Sequence, residues 1–385
     1  MAYSKEMLEM VEKDYSIKLA LGEKERRFYE QKMEELGLKS VSRFASYHPS
    51  PSRFMKMGVT YAHKDLESVA PAMENGDRWA AVSGLNPSGP LHLGHKAIFD
   101  ELLWFQEQGA TVYIPVTNDE TYLVRKKDSL GESRRIAYED VIPSIIAMGF
   151  KPGKTRIFVD SDYTNIYNLA IDISRELTVG KINGVFGVDE SQNIGVVFYR
   201  GAVQLAQILL PQLEEFGGTQ PTVIPVGIDQ HPYIQLARDI AKKKGMVPPA
   251  EVCTKFLFGL DGKGKMSTSR PESAIFLTDT PERAEKLIKT SYNGGSAIAD
   301  LQRERGGIPE ICPIYGLDAN NFLNDDSVYK ACRSGQLMCG EHKKEVTPKV
   351  KKLLLEHQEK LADARNRMHE FILNEPLTSV FKHKK

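Results

Sequence analysis

The segment "NPSGPLHLGHK" (residues 86–96) connects two sequence patterns of different kinds. The run "WAAVS" (79–83) before it predicts a buried strand, and the apolar run "AIFDELLWF" (97–105) after it predicts a helix. Prolines and glycines between two such runs mark the turn of an α/β unit. A strand, a glycine-bearing turn and a helix N-terminus together predict a phosphate-binding site.

Two histidines stand at the predicted start of this helix. His92 and His95 are three residues apart, so they share one helix face near free N–H groups that favour anions. Gly94 lies between them and lets a large ligand approach the backbone. The patterns G-x-G-x-x-G and G-x-x-x-x-G-K-[ST] are absent. The segment therefore predicts a phosphate cradle built with imidazoles; the alternative for either histidine is a polar surface residue.

Further along the chain, strands and helices alternate. Buried strands are predicted at 111–117, 155–159 and 222–227, and a helix over 132–148. Strands separated by helices favour an α/β fold with a parallel, doubly wound, Rossmann-like sheet. Residues 160–220 are too long for a single crossover, so we expect an insertion there.

The two ends of the chain carry helix patterns. Residues 4–38 favour a helix, and residues 53–69 favour a short strand followed by a helix capped near Asp65. After about residue 280 the strand signal stops, and Pro281 predicts the first position of a helix ending at Gly294–Gly295. We expect three parts: an N-terminal helical extension with a short hairpin (1–75), a catalytic Rossmann domain (76–280) and a helical C-terminal domain (281–385).

Composition is that of an ordinary globular protein. The 385 residues are 41% hydrophobic and 26% charged, and the formal net charge is zero, so no global basic signal indicates nucleic acid. None of the four cysteines forms a C-x-x-C pair, which argues against a zinc ribbon. We expect reduced thiols, a cytoplasmic location and no membrane span, because no signal peptide is visible and no apolar run approaches 18 residues.

A second motif follows in "GLDGKGKMSTSRPES" (259–273). Lys263 and Lys265 can each offer a positive charge to a phosphate, and a glycine-flanked loop can close over a ligand. Combined with two histidines at a helix N-terminus, this loop fits attack on the α-phosphate of ATP, with pyrophosphate leaving and preorganised donors stabilising the charge. The alternative is a flexible surface loop.

These two motifs resemble the His-x-Gly-His and Lys-Met-Ser-Lys-Ser signatures of class I aminoacyl-tRNA synthetases. They occur in the same order, about 170 residues apart, with Thr268 where the second lysine usually stands. From about residue 50 to 373, further stretches are similar to tryptophanyl-tRNA synthetases of the archaeal and eukaryotic branch, namely "VTNDETYL" (116–123), "FGVDESQNIG" (186–195), "GIDQHPYIQLARDIA" (227–241), "FLNDD" (322–326) and "SGQLMCGEHKK" (334–344).

The resemblance implies ATP-dependent activation of L-tryptophan and its transfer to tryptophan tRNA. Mg²⁺ would arrive with ATP, because no metal-ligand cluster is visible, and the family forms homodimers around the insertion. The implied roles are catalysis by His92, His95 and Lys265; ATP binding by Ser83, Gly84, Gly94, Asp229, Met266, Ser267 and Ser269; binding of the amino group by Glu120 and Gln230; and anticodon contacts by Phe322, Asp325 and Asp326. Loop, capping or core roles are the alternatives for Asp229, Glu120 and the anticodon candidates.

At two positions the chain departs from this family. In the eukaryotic-type enzymes a Tyr and a Gln recognise the indole N–H, and the motifs align them with Val82 and Pro115. Neither side chain accepts a hydrogen bond, and a buried, unpaired N–H costs about 1–3 kcal/mol. We therefore expect another acceptor, with Gln204 and Gln207 as the first candidates and Gln192 as the third.

Three alternatives remain open. A tyrosyl-tRNA synthetase shares both signatures, but "YRGAVQLAQ" (199–207) has no acid to bind a phenol, as archaeal tyrosyl enzymes have. An HxGH nucleotidyltransferase is usually shorter and lacks a helical C-terminal third. A non-catalytic RNA-binding paralogue tends to lose the signature histidines or lysine, and all three are present here.

Overall fold

A computed structural model of the chain describes residues 5–48, 50–188 and 190–382. Asp189, within the "FGVDESQNIG" stretch, lies outside the described residues. The chain divides into two compact units. The first unit comprises Met1–Ala62, His92–Ala97 and Lys255–Glu359; the second comprises His63–Leu91, Ile98–Thr254 and Lys360–Lys385.

The strands form one sheet in the order β1-β2-β7-β6-β3-β4-β5. They are β1 (Lys39–Ser40), β2 (Thr60–Lys64), β3 (Ala80–Val82), β4 (Thr111–Val116), β5 (Thr155–Val159), β6 (Thr222–Gly227) and β7 (Ala250–Thr254). The five strands β3 to β7 pair in parallel, and chain order reverses between β3 and β6. This is the doubly wound, Rossmann-like arrangement that the sequence predicts, with its ligand crevice expected at that switch point.

The helices surround this sheet or form the helical part of the first unit. They are α1 (Lys5–Glu35), α2 (Ser42–Tyr47), α3 (Arg53–Lys56), α4 (Ala70–Asn75), α5 (Leu93–Glu107), α6 (Asn118–Leu123), α7 (Leu130–Ile136), α8 (Ile142–Ala147), α9 (Asn165–Ser174), α10 (Val179–Phe186), α11 (Ile194–Phe198), α12 (Gln204–Leu209), α13 (His231–Lys243), α14 (Pro281–Thr290), α15 (Ala299–Arg305), α16 (Pro313–Asn321), α17 (Ser327–Arg333) and α18 (Cys339–Asn366).

The expected insertion between β5 and β6 consists of helices α9 to α12. A π-helical turn (Tyr199–Val203) joins α11 to α12, so that Ile194–Gln212 forms one long apolar helix. The expectation that no apolar run approaches 18 residues is therefore wrong, since these 19 residues are long and apolar enough to cross a membrane. However, 67% of the stretch is buried, and its side chains pack with Val82 and Phe158 of the sheet in the core of the second unit.

In the first unit, α1 packs against the helical region that follows residue 298. The Tyr15 ring contacts Ile308 and Ile311, and the Tyr15 hydroxyl donates to the Arg305 carbonyl at 2.9 Å. Arg305 in turn pairs with Glu12 at 2.5 Å. The N-terminal helix is therefore part of the same compact unit as α14 to α17. The three-part division at residues 75 and 280 stays a prediction.

Two predicted helix boundaries are corrected by the backbone. Helix α14 begins at Pro281 as predicted, with the Thr280 hydroxyl accepting from Arg283 N–H at 3.2 Å, but it ends at Thr290 because Ser291 is extended. Asp65 does not cap a helix by its side chain; it adopts φ +53° and its carboxylate pairs with Arg238. A single 3-10 turn follows it before α4.

Candidate active site

The two signature histidines stack on each other at the start of α5. Their ring centres are 3.7 Å apart and the ring planes differ by 16°. The His95 N–H donates to His92 Nδ1 at 3.3 Å, and the His92 N–H donates to His95 Nδ1 at 3.4 Å. Because both Nδ1 atoms accept, the proton of each neutral ring is on Nε2. The pair can therefore present two Nε2–H donors to an anion.

His92 is neutral at physiological pH. The residue is 5% exposed, and its burial lowers the pKa of His92 to about 4, with a further contribution from the positive charge of Lys265. A neutral imidazole donates a hydrogen bond without bringing a charge that would have to be desolvated. This suits a group that stabilises charge only as it develops.

Gly94 allows the helix start to pack closely. A Cβ atom at this position would lie 3.0 Å from His92 Nδ1 and 3.7 Å from the Met266 Cβ. The first of these distances is tighter than an ordinary contact, so the missing side chain makes room for the stacked ring. The expected approach of a large ligand to the Gly94 backbone stays a prediction.

The lysine loop is closed by its own hydrogen bonds. Phe258 and Lys265 form an antiparallel bridge, and Gly259 N–H donates to the Gly264 carbonyl at 2.7 Å. Gly264, with φ +81°, adopts a backbone conformation that suits glycine. The Arg270 guanidinium donates to the Asp261 carboxylate and to the Lys265 carbonyl oxygen, at 2.7 Å each, and so connects the two sides of the loop.

The side chains of the loop differ in their surroundings. Met266 is buried, whereas Lys265 is exposed and its Nζ lies 4.5 Å from the centre of the Phe256 ring. The hydroxyls of Ser267 and Ser269 are hydrogen-bonded to each other at 2.9 Å. The loop therefore exposes Lys263 and Lys265, with Ser269 exposed and Ser267 half-buried, next to the buried Met266.

Backbone contacts hold the histidine pair beside this loop within the first unit. Leu93 N–H donates to the Ile275 carbonyl at 3.0 Å, and His92 forms an antiparallel bridge with Phe276. Phe276 follows the lysine-loop segment (259–273) by three residues. The structure thus brings His92, His95 and Lys265 together, as the motifs predict.

In the second unit, the nucleotide candidates lie at the switch point of the sheet. The Ser83 hydroxyl donates to the Pro225 carbonyl at 2.9 Å, linking the end of β3 to β6. Asp229 lies in the exposed turn directly after β6. Packing alone requires a glycine at position 84, because a Cβ atom on Gly84 would lie 2.2 Å from the Pro115 carbonyl oxygen. Their roles toward ATP stay predictions.

The candidates for the amino group, Glu120 and Gln230, also belong to the second unit. Gln204 Nε2 donates to Gln230 Oε1 at 3.1 Å, which joins α12 to the turn before α13. Glu120 lies on α6, and its burial raises the pKa of the carboxyl, while Lys126 opposes that shift. A half-buried carboxylate of this kind gains from a bound ammonium group.

The sequence analysis missed a buried polar network beside these residues. Gln207 is 3% exposed; its Nε2 donates to Asp160 Oδ2 at 2.5 Å, and its Oε1 accepts from the Tyr199 hydroxyl at 3.5 Å. Asp160 also contacts the carboxyl of Asp119, and burial raises the pKa of both carboxyls. Asp160 directly follows β5, which was predicted at 155–159, so an acid at the carboxyl end of a predicted strand is the sequence signal that could have found it.

At the two positions where the chain departs from the family, the side chains are apolar and buried. Val82 is 2% exposed, and Pro115 lies in the buried part of β4. Gln192 keeps an acceptor, because its buried Oε1 has no hydrogen-bond partner among the described residues.

The anticodon candidates have local partners. Phe322 is half-buried with Lys349 Nζ 5.7 Å from its ring centre. Asp325 Oδ1 accepts from Ser327 N–H at 2.9 Å, and Asp326 pairs with Lys330 at 2.9 Å. These contacts fit the capping alternative, and anticodon recognition stays a prediction.

No group of three or more His, Cys, Asp or Glu side chains in the described part of the chain could hold a metal ion. All four cysteines are free.

Comparisons with known proteins agree on one family. The family described as "tRNA synthetases class I (W and Y)" matches residues 74–355. A Tryptophan--tRNA ligase of Pyrobaculum calidifontis is 35% identical over 91% of this chain and 96% of its own length. That of Thermococcus kodakarensis is 38% identical over 83% of this chain and 82% of its own. The crystal structure of tryptophanyl-tRNA synthetase from Aeropyrum pernix superposes with a TM-score of 0.81 and 33% identity, covering 90% of this chain and 96% of that one.

Proposed function

The chain belongs to the class I tRNA synthetases of the tryptophan and tyrosine group, and from this membership we propose that it activates L-tryptophan with ATP and transfers it to tryptophan tRNA. The carboxylate of tryptophan attacks the α-phosphorus of ATP and the bond to the β-phosphate breaks. Tryptophanyl-adenylate forms and pyrophosphate leaves. A ribose hydroxyl at the 3′ end of the tRNA then attacks the acyl carbon, and AMP leaves.

One observation carries the activation step. The stacked His92 and His95 rings, whose Nδ1 atoms accept the two internal hydrogen bonds, lie in the same compact unit as Lys265. Charge accumulates on the phosphate oxygens as pyrophosphate departs, and preorganised donors stabilise it. His92, His95 and Lys265 supply these donors, while Met266, Ser267 and Ser269 close over the triphosphate and Asp229 accepts from the ribose hydroxyls.

The substrate's amino group is held by Glu120 and Gln230, with Gln204 supporting Gln230 through their hydrogen bond. Glu120 supplies the counter-charge, which also explains why a buried carboxyl is kept there. Gln207 accepts a hydrogen bond from the indole N–H, because Val82 and Pro115, at the positions of the family's Tyr and Gln, are apolar and cannot accept one. Phe322, Asp325 and Asp326 contact the anticodon.

Three further features accompany this function. Mg²⁺ enters bound to the triphosphate, since no group of three or more His, Cys, Asp or Glu side chains among the described residues could hold the ion on the protein. The enzyme acts in the cytoplasm. It works as a homodimer joined around the insertion between β5 and β6.

The function is tested by ATP–pyrophosphate exchange with each of the twenty amino acids in turn. Tryptophan should support exchange best. Preference for tyrosine would refute the amino-acid assignment and leave the class I reaction standing. Exchange that needs no amino acid would favour a nucleotidyltransferase, and no exchange at all would favour a non-catalytic paralogue.

A further inference from the structure

The buried network around Gln207 lies at the carboxyl ends of strands β4 and β5. Gln204 and Gln207 are three residues apart on α12, so they share one helix face. Gln204 is half-buried and bonds to Gln230, whereas Gln207 is 3% exposed. Asp160 follows β5, and Asp119 lies on α6, which starts just after β4. Ligands of doubly wound sheets bind at these carboxyl ends of the strands.

The two carboxyls of this network are buried and interact with each other. Asp160 is 0% exposed and Asp119 is 8% exposed. Asp119 accepts twice from its surroundings, at 2.7 Å from Glu120 N–H and at 2.9 Å from the Tyr167 hydroxyl. No N–H or hydroxyl of the described residues hydrogen-bonds Asp160 Oδ1, which leaves the Asp119 carboxyl as its partner. Two carboxyls can hydrogen-bond only when they share a proton.

A shared proton determines how Gln207 is oriented. If the proton lies between Asp119 and Asp160, the other oxygen of Asp160 offers only lone pairs. That oxygen, Oδ2, is the atom 2.5 Å from Gln207 Nε2, so the amide must donate with its NH₂ group there. The carbonyl oxygen then points away from Asp160. It accepts one long bond, 3.5 Å, from Tyr199, and retains a second lone pair.

We propose that the Asp119–Asp160 carboxyl pair holds the Gln207 amide with its carbonyl oxygen toward the substrate, so that this oxygen recognises the indole N–H. The inference rests on the proposed role of Gln207. Asp160 is a positioning residue in this account, because it acts on the substrate through Gln207. Without the pair, the amide could rotate and present its NH₂ group, which cannot accept from an indole N–H.

The test compares L-tryptophan with L-β-(benzothien-3-yl)alanine, which has nearly the same shape but carries sulfur in place of the indole N–H. The measured quantity is the ratio of kcat/KM for the two amino acids in pyrophosphate exchange. Wild type should prefer tryptophan by about ten- to a hundredfold, because an unpaired buried acceptor disfavours the analogue. Asp160→Leu should lose most of that ratio through a higher KM for tryptophan, with the KM for ATP unchanged.

The conservative variant separates positioning from a merely structural role. Asp160→Asn keeps an acceptor toward Gln207 and a donor toward Asp119, so its ratio should stay within about twofold of wild type. Asp160→Ala serves in place of Asp160→Leu if the larger side chain prevents folding, as judged by thermal melting. Asp318→Asn is the matched control, since Asp318 is also buried but bonds to His342 in the first unit; it should lose stability without changing the ratio.

Two results overturn the inference. One is an Asp160→Leu or Asp160→Ala variant that folds and keeps the wild-type ratio; the other is an Asp160→Asn variant that loses as much as these do. Gln207→Met tests the underlying role separately. If Gln207→Met retains the preference for tryptophan, or if wild type shows none, Gln207 is not the acceptor and the proposed role itself fails.

Discussion

Replacing His92 with Ala removes one preorganised donor from the activation step. The His92 ring is buried and stacked on His95, and its Nδ1 is occupied by the His95 N–H, so the variant deletes the Nε2–H donor. Loss of one such donor costs about 2.7–4 kcal/mol when it is fully used in the transition state. At 1.36 kcal/mol per factor of ten, this corresponds to a decrease of up to about a thousandfold. Allowing for partial use, we expect a ten- to thousandfold slower activation rate.

The assay is single-turnover formation of tryptophanyl-adenylate by rapid quench, alongside ATP titrations. The rate should fall while the affinity for ATP changes much less, because the donor acts mainly on charge that develops in the transition state. A pKa of about 4 keeps His92 neutral from pH 6 to 8, so its titration should not shape the rate in that window. His342→Ala, which removes another buried histidine, is the control. Normal activation rates in both His92→Ala and His95→Ala would mean that the imidazoles are only structural.

Three further predictions concern the loop, the strand ends and the carboxyl pair. Lys265→Ala should slow adenylate formation by about tenfold or more and leave tryptophan binding nearly unchanged. Lys263→Ala is the neighbouring control and should have a milder effect. ATP should also protect residues 259–271 from proteases, and equal protection with and without ATP would count against loop closure. Gly84→Ala should lower the free energy of unfolding by about 1–3 kcal/mol in urea titrations, because its Cβ would lie 2.2 Å from the Pro115 carbonyl oxygen. Gly184→Ala, in open space on α10, should not lower it. Burial raises the folded-state pKa values of Asp119 and Asp160 above their ordinary 3.8. Their contribution to the free energy of unfolding is therefore full below pH 3.8 and is lost as pH rises toward the folded pKa values. Asp160→Asn should flatten the plot of unfolding free energy against pH, and an identical slope in both proteins would argue against a shared proton.

Elements with a clear hydrophobic pattern, or with a proline or glycine at one end, could be predicted from the sequence. Strand β5 was predicted with the residues that the structure gives it, and α14 starts at its predicted proline, because both depend on local patterns. Strand β7, "AEVCT" (250–254), was missed, since the glutamate at its second position breaks the apolar run. The structure explains that glutamate: Glu251 is buried and bonds to the His231 ring at 2.8 Å. Its partner is twenty residues away and could not be inferred from local pattern.

Only part of the candidate site could likewise be predicted from the sequence. His92, His95 and Lys265 stand in recognisable motifs, whereas the backbone contacts of Leu93 and His92 that hold them near each other come from the tertiary structure. The Asp119–Asp160 contact depends on the ends of two parallel strands meeting at one edge, which only the tertiary structure gives. The motif assigns Gly84 to ATP binding but does not predict its packing role, which comes from its close approach to Pro115.

Transfer of labelled amino acid to tRNA tests the central claim most directly. The wild-type chain, ATP with Mg²⁺ and a tRNA transcript carrying the tryptophan anticodon CCA should yield tryptophanyl-tRNA, with AMP and pyrophosphate released, while tyrosine and phenylalanine are charged far less well. Charging of tyrosine in preference to tryptophan, or adenylate formation without any transfer to this tRNA, would contradict the account.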